Sequence, residues 1–262
     1  LHHEDFTGQY GKFYKSYRNA SWYKQQELDF KATAMQFGFS SVHELKKGVA
    51  LKIKEYVNNG GFMFAMCSAT DSFDIALAAI NVDIVDTPYD GTPVDPGFAG
   101  KLNFSNGIAF ENYQLYTNPM TYEYSTIDVP PSHRPVTRTP EADYFTLFEF
   151  SAKWDPVPTM LTQNHINVIN GFMGQTTGFD RKFLKNHVLI LGDVQNDAMV
   201  KYIHGNVGKG TFTFLGGHDP EDYRHFVGDP PTDLNLHRNS PGYRLILNNV
   251  LFPAARKKEK KT

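Results

Sequence analysis

The sequence predicts an α/β protein, a three-layer α/β/α sandwich with a mostly parallel sheet. The first observation is a short, wholly apolar run, Phe62–Met66, which is typical of a central strand buried on both faces. The second is that predicted helices flank this strand, one ending near Asn58 and one beginning near Thr70. A late stretch over residues 211–215, TFTFL, predicts another strand. Because strands and helices alternate in this order, the connection rules favour parallel pairing with right-handed crossovers.

Composition and charge narrow the function classes. The chain has 262 residues, of which 40% are hydrophobic and 14% aromatic, so it can bury a sizeable core in a single domain over 1–262. A formal net charge of −2 gives no basic field for nucleic acid, and no apolar run reaches the roughly 18 residues of a membrane span. A single cysteine excludes an intramolecular disulfide and a cysteine-rich zinc cluster. A small polar molecule fits these limits as a ligand.

The amino-terminal segment predicts the end of a strand followed by a site loop. Leu1, His2 and His3 look like a strand end, so we expect the first strands of the domain to lie upstream and the chain to be a fragment or a processed form. Because the start has the form of a processed chain, export to the periplasm stays an open alternative. Residues 6–23 predict a loop rich in glycine and aromatic residues, and residues 46–58 predict a helix capped by the serine at 40 or 41.

The alternation of strands and helices breaks after residue 80. Residues 83–146 are rich in Pro, Gly, Tyr and Asn and predict an irregular insertion, either a cleft wall or a plain covering layer. Beyond the insertion the sequence predicts strands over 144–150, 186–191 and 211–215. The predicted connections are a segment over 160–172 carrying His165, a turn or short helix over 193–202 and a turn over 208–210. The chain is predicted to end in a helix over 243–251 and a solvated basic tail over 256–262.

Three segments with reactive side chains follow predicted strand ends. They are His-His-Glu-Asp at 2–5, Cys67, and His-Asp-Pro-Glu at 218–221. Because the carboxyl ends of parallel strands meet at one edge of a sheet, we expect these segments to converge. Cys67 is predicted at a strand-to-helix turn, where the amino end of the helix lowers a thiol pKa and the turn exposes it. The alternative is that Cys67 packs as a small buried hydrophobe.

The three segments together contain the parts of a nucleophilic site. Cys67 is the candidate thiol nucleophile, His218 its base, and a neighbouring carboxylate the group that orients the base. The loop with Gly8 and Gly11 is a candidate source of backbone N–H groups for an oxyanion.

The order of glycine loop, helix, strand, cysteine turn and late histidine resembles the class I glutamine amidotransferase-like superfamily, which has a flavodoxin-like fold. Its working enzymes carry Gly-x-Cys-x-Gly and His-Pro-Glu, where this chain has Ala-Met-Cys-Ser-Ala and His-Asp-Pro-Glu. The resemblance implies the catalytic residues Cys67, His218 and Glu221, and a substrate or oxyanion loop with His3, Glu4, Gly8 and Asp219. The altered flanks of the cysteine weigh against glutamine hydrolysis.

Longer stretches are similar to bacterial proteins labelled asparagine synthetase B, namely HHEDFTGQYG, FAMCSATDSFDIALAA and GNVGKGTFTFLGGHDPEDY. The similarity covers nearly the whole chain, yet the SGGxDS phosphate loop of true asparagine synthetases does not occur in the sequence. GKGTFTFLGGHD is also similar to ThuA-like proteins, a branch of the same superfamily associated with sugar metabolism. These resemblances imply a cofactor-independent hydrolase or amidotransferase-like protein acting on an amide or related small polar substrate, or on a carbohydrate.

Two other classes stay open from the residues. His3, Glu4 and His218 include enough nitrogen and oxygen ligands for a zinc-dependent hydrolase, although adjacent histidines in a strand point to opposite faces and at most one of His2 and His3 should reach the site. A non-catalytic module that binds carbohydrate or peptide explains the altered motifs and the tyrosine-rich insertion without chemistry.

Overall fold

The computed structural model describes residues 1–128, 144–148, 166–221, 229–251 and 253. Its strands are β1 (Phe62–Met66), β2 (Tyr144–Leu147), β3 (Val168–Asn170), β4 (Phe179–Asp180), β5 (Leu189–Asp193), β6 (Met199–Val207) and β7 (Gly210–Leu215). The α-helices are α1 (Tyr14–Tyr17), α2 (Ser21–Gln36), α3 (Val42–Asn58), α4 (Ser68–Ala78), α5 (Thr87–Asp90), α6 (Phe98–Lys101) and α7 (Pro241–Leu251). Short 3₁₀ turns lie at Tyr10–Lys12, Phe104–Asn106, Arg181–Phe183 and Leu234–His237.

The strands form one mixed sheet that curls into a half-barrel, so the expected mostly parallel, flavodoxin-like sandwich is wrong. The strand order is β1-β7-β6-β5-β2-β3, with β4 pairing to β6. Among the described strands only β1 and β7 pair in parallel, and the other pairs are antiparallel. The predicted interior strand Phe62–Met66 and its parallel pairing with residues 211–215 are confirmed.

The antiparallel half of the sheet follows from a tight hairpin that the sequence prediction did not use. β6 and β7 are joined by only two residues, Gly208 and Lys209, and the pairing runs from Val207 opposite Gly210 to Tyr202 opposite Leu215. Such a short connection can link only antiparallel neighbours. Gly208 has φ 56°, and a Cβ there would lie 2.6 Å from the carbonyl oxygen of Asn58, so glycine suits the turn. The predicted turn or short helix over 193–202 is therefore wrong from Met199 onward.

Alternate residues of β1 and β7 enter two separate cores. Met63 and Ala65 pack with Phe212 and Phe214 in the larger core, to which α4 also contributes. Met66 and Leu215 belong to the smaller core on the opposite face, together with Leu245 of α7. α4 is the central helix, because all eleven of its residues are buried. The carboxyl ends of β1 and β7 are thus fixed between two packed faces.

Several predicted elements appear with shifted bounds. α3 begins four residues before the predicted start, with Ser41 as the N-cap accepting a hydrogen bond from the Glu44 N–H at 3.2 Å. α4 begins at Ser68 rather than near Thr70, and Cys67 itself is the N-cap residue. α2 replaces the end of the predicted loop over 6–23. His165, the basic tail over 256–262 and residues 149–150 of a predicted strand lie outside the described residues.

Of the predicted insertion over 83–146, residues 83–128 are irregular apart from α5, α6 and one 3₁₀ turn, and residues 144–146 belong to β2. It packs into the larger core through Ile108, Ala109 and Phe110. Asp74 of α4 accepts hydrogen bonds from the N–H groups of these three residues at 2.5, 2.8 and 3.2 Å. Within the described helices, none is both long enough and apolar enough to cross a bilayer.

Candidate functional site

The three reactive segments meet at one edge of the sheet. Met66 at the end of β1 lies opposite Leu215 at the end of β7, in parallel register. His2 forms an isolated parallel bridge with Met66 on the other side, and the Met66 N–H donates to the Leu1 carbonyl at 3.0 Å. The residues that follow these positions therefore lie side by side, as expected from the connection rule.

Cys67 occupies a strained turn between β1 and α4. Its backbone has φ 56° and ψ −137°, a conformation that residues with a Cβ rarely adopt. The turn is fixed on both sides, because the Cys67 N–H donates to the Leu215 carbonyl at 3.1 Å and the Thr70 hydroxyl donates to the Cys67 carbonyl at 2.6 Å. A nucleophile is mounted in a similar way at other strand-to-helix turns. The residue is fully buried, so the predicted exposure of the thiol is wrong.

The sulfur of Cys67 is surrounded by polar groups. Nδ1 of His3 lies 3.8 Å from Sγ, and the backbone N–H of Gln175 donates to Sγ at 3.1 Å. Gly174 packs directly on the site, because a Cβ there would lie 2.9 Å from Sγ and 3.0 Å from Cδ2 of His218. The thiol is therefore covered by imidazoles and backbone.

His218 is held next to Cys67 by the loop that follows β7. The backbone N–H of His218 donates to the Met173 carbonyl at 2.9 Å, and the backbone N–H of Gly217 donates to the Thr176 carbonyl at 2.7 Å. Gly217 has φ 75°, and a Cβ there would overlap the Phe172 carbonyl, so only glycine fits. Oδ2 of Asp219 lies 2.8 Å from Nδ1 of His218, an ion-pair distance, although the N–H is not aligned for a hydrogen bond.

The electrostatics of the site favour a thiolate beside an imidazolium. Burial raises the pKa of Cys67, but hydrogen bonding and charge from His218 and His3 outweigh it and bring that pKa to about 5. Burial lowers the pKa of His218, but Asp219 and the sulfur raise it to about 9. Near neutral pH the two groups therefore carry opposite charges, which is the state of an activated cysteine nucleophile.

The imidazoles of His2, His3 and His218 form one cluster. The ring centroids of His3 and His218 are 4.0 Å apart, and the ring of His2 lies 4.7 and 4.8 Å from them. One nitrogen of each ring lies within 4.8 Å of one nitrogen of the others. The expectation that only one of His2 and His3 reaches the site is wrong, because His3 has φ 56° and the strand alternation ends before it. Burial and the neighbouring imidazoles lower the pKa of His2 to about 4.

Three other predicted site residues make contacts elsewhere. The Glu4 carboxylate forms a short ion pair with Lys46 of α3. Gly8 packs on the start of the same helix, since a Cβ at Gly8 would lie 2.7 Å from the Cα of His43. Glu221 lines an open cavity of about 430 Å³ together with residues 235–240, and Cys67 and His218 are not part of that lining. Among the described contacts Asp219, not Glu221, is the acid beside His218.

Sequence reasoning missed the loop that completes the site. Residues 171–178 carry the Gln175 N–H and the close approach of Gly174, and three glycines in this stretch were the only local signal. Asp71 of α4 supports this loop, because its Oδ1 accepts a hydrogen bond from the Thr176 hydroxyl at 2.9 Å. Burial raises the pKa of Asp71 to about 7.

The chain was compared with protein-family models and with characterised proteins, and neither comparison found a significant match.

Proposed function

We propose that the protein is a cysteine-dependent hydrolase or acyl-transfer enzyme acting on an amide or related small polar substrate. The observation that carries this proposal is the arrangement of Sγ of Cys67 on a strained turn, between the imidazoles of His3 and His218 and the N–H of Gln175. These are the parts that covalent acyl transfer needs.

Each group has a role in the proposed reaction. The thiolate of Cys67 attacks the carbonyl carbon of the substrate and forms a thioester. His218, oriented by Asp219 at 2.8 Å, gives its proton to the leaving amine. The same imidazole then takes a proton from the water that hydrolyses the thioester, so it returns to its starting state.

The N–H of Gln175 supplies the oxyanion contact in this proposal. This N–H points at the sulfur. When Sγ bonds to the carbonyl carbon of the substrate, the carbonyl oxygen therefore comes close to the same N–H. The glycine loop at 8–11 is not needed for this role, because Gly8 packs against α3.

Entry of substrate requires a movement of His3. Cys67 is fully buried, and His3, an exposed residue, has its Nδ1 3.8 Å from the sulfur. In this proposal a rotation of the His3 side chain opens access to the thiolate.

The experiment is to treat the native protein with an aryl acetate that releases a coloured phenol and to locate the acetyl group by mass spectrometry. We expect a burst of phenol and acetylation of Cys67, both lost in Cys67→Ala. A His218→Asn variant should slow the burst by about a hundredfold. Equal burst rates in the native protein and in Cys67→Ala would leave the carbohydrate- or peptide-binding module as the better account.

A further inference from the structure

We infer that His2, His3 and His218 form a binding site for a divalent transition-metal ion of the zinc type. Their imidazoles supply three nitrogen ligands, His218 after it gives up its proton, and water can take the fourth position, because His2 and His3 are exposed. The sequence had suggested His3, Glu4 and His218 as ligands, but Glu4 is paired with Lys46 and His2 takes its place.

The distances in the cluster suit such an ion after small side-chain rotations. Ligand nitrogens at about 2.0 to 2.1 Å from tetrahedral zinc lie roughly 3.3 Å from each other. The nitrogens of the three histidines are already within 4.8 Å of one another. His2 and His3 are exposed, so their rings can turn toward the half-buried His218 while it stays in place.

His218 has a carboxylate beside it, as metal-binding histidines commonly do. Oδ2 of Asp219 lies 2.8 Å from its Nδ1, which leaves Nε2 as the nitrogen for the ion. Asp219 is itself fixed by an isolated backbone bridge with Met173. A carboxylate behind one ligand orients that ring before the ion arrives.

Ion binding and thiol chemistry compete for the same imidazole, and this consequence rests on the proposed function. An ion on His218 takes the place of the proton that pairs with the Cys67 thiolate, and it holds the ring of His3 beside the sulfur. The occupied site is therefore expected to slow modification of Cys67.

The test is to titrate tag-free, metal-free protein with zinc against a coloured chelator. All binding measurements use a Cys67→Ala background, in which the proposed hydrolase chemistry is impossible and cannot influence the result. We expect one equivalent of zinc, with affinity at least about tenfold lower in His2→Ala and in His3→Ala. His187→Ala is the control, because His187 is an exposed histidine that contacts the Ile108 carbonyl elsewhere in the fold. The zinc affinity of this variant should equal that of its parent.

A cobalt spectrum provides a second readout in the protein that retains Cys67. A site made of nitrogens and water lacks the intense thiolate-to-cobalt absorption, so the spectrum should not change between the native protein and Cys67→Ala. Equal zinc affinity in His2→Ala and its parent overturns the inference. Loss of the ion in Cys67→Ala also overturns it, since the thiol would then be the main ligand.

Discussion

The backbone N–H of Gln175 donates a hydrogen bond to Sγ of Cys67 at 3.1 Å, across 108 residues of sequence. The contact joins the turn after β1 to the loop before β4. It depends on Gly174, whose α-carbon leaves no room for a side chain above the sulfur. The N–H of Gln175 and the sulfur of Cys67 are therefore brought together by one close backbone approach.

The first prediction concerns Gly174→Ala. The added methyl group would lie 2.9 Å from Sγ and 2.9 Å from the Cα of Gly217, so the loop or His218 must shift. We expect alkylation of Cys67 to slow by about tenfold or more, since the thiolate loses its partners. Gly100→Ala is the matched control, because nothing lies within 4 Å of a Cβ there. Unchanged reactivity in Gly174→Ala would show that the approach is not needed.

The second prediction concerns the strained backbone of Cys67. Because its φ is 56° and ψ is −137°, glycine should fit the turn better than any residue with a Cβ. Cys67→Gly is expected to be more stable than Cys67→Ala by about 1 kcal/mol, the reverse of the usual order. Urea unfolding of the two variants measures this difference. A more stable alanine variant would mean that the turn relaxes at little cost.

The third prediction uses Asp74, which accepts three backbone N–H groups of residues 108–110 in a buried site. Asp74→Ala leaves these donors without their acceptor, and the free energy of unfolding should fall by roughly 3 to 5 kcal/mol. Asp29→Ala, at an exposed helix position, should cost less than about 1 kcal/mol. A similar loss in both variants would show that the three hydrogen bonds add little.

The fourth prediction is a pH dependence from His204. This histidine is buried in β6 with its Nδ1 2.9 Å from the Thr213 hydroxyl, and burial lowers its pKa from 6.5 to about 4. The unfolded chain therefore binds more protons than the folded one between these values, and stability is lost as the pH falls through that window.

Comparison of the native protein with His204→Asn isolates this effect. The free energy of unfolding of the native protein should fall between about pH 7 and pH 4 by roughly 2 to 3 kcal/mol more than that of the variant. Urea unfolding at a series of pH values checks it. If the free energy of unfolding changes with pH in the same way in both proteins, the account of His204 as a buried, neutral imidazole is wrong.

The local part of the site could be predicted from the sequence. The apolar run before Cys67 and the polar start of the next helix indicate the strand, the turn and α4 without any knowledge of distant contacts. The parallel pairing of β1 with β7 then brings His218 to the same edge. The connection rule is enough for this step because both strands are short and buried.

The rest depends on contacts between distant parts of the chain. β6 escaped prediction because it buries Lys201 and His204, which hide its apolar alternation, and its antiparallel pairing changes the fold class. Gln175 acts through its backbone, so its side chain carries no signal of the role. Asp219 and Glu221 are equally good acids in sequence, and only the turn after β7 selects Asp219.

The most direct measurement of the central claim is the rate at which iodoacetamide modifies Cys67 in the native, metal-free protein at about pH 7, followed by mass spectrometry. If His218 sustains the thiolate, the native protein reacts at its single cysteine, and the rate in His218→Asn is at most about a tenth of the native rate. If the native protein is modified only after unfolding, or as slowly as His218→Asn, Cys67 is a packing residue and the proposed thiol chemistry is wrong.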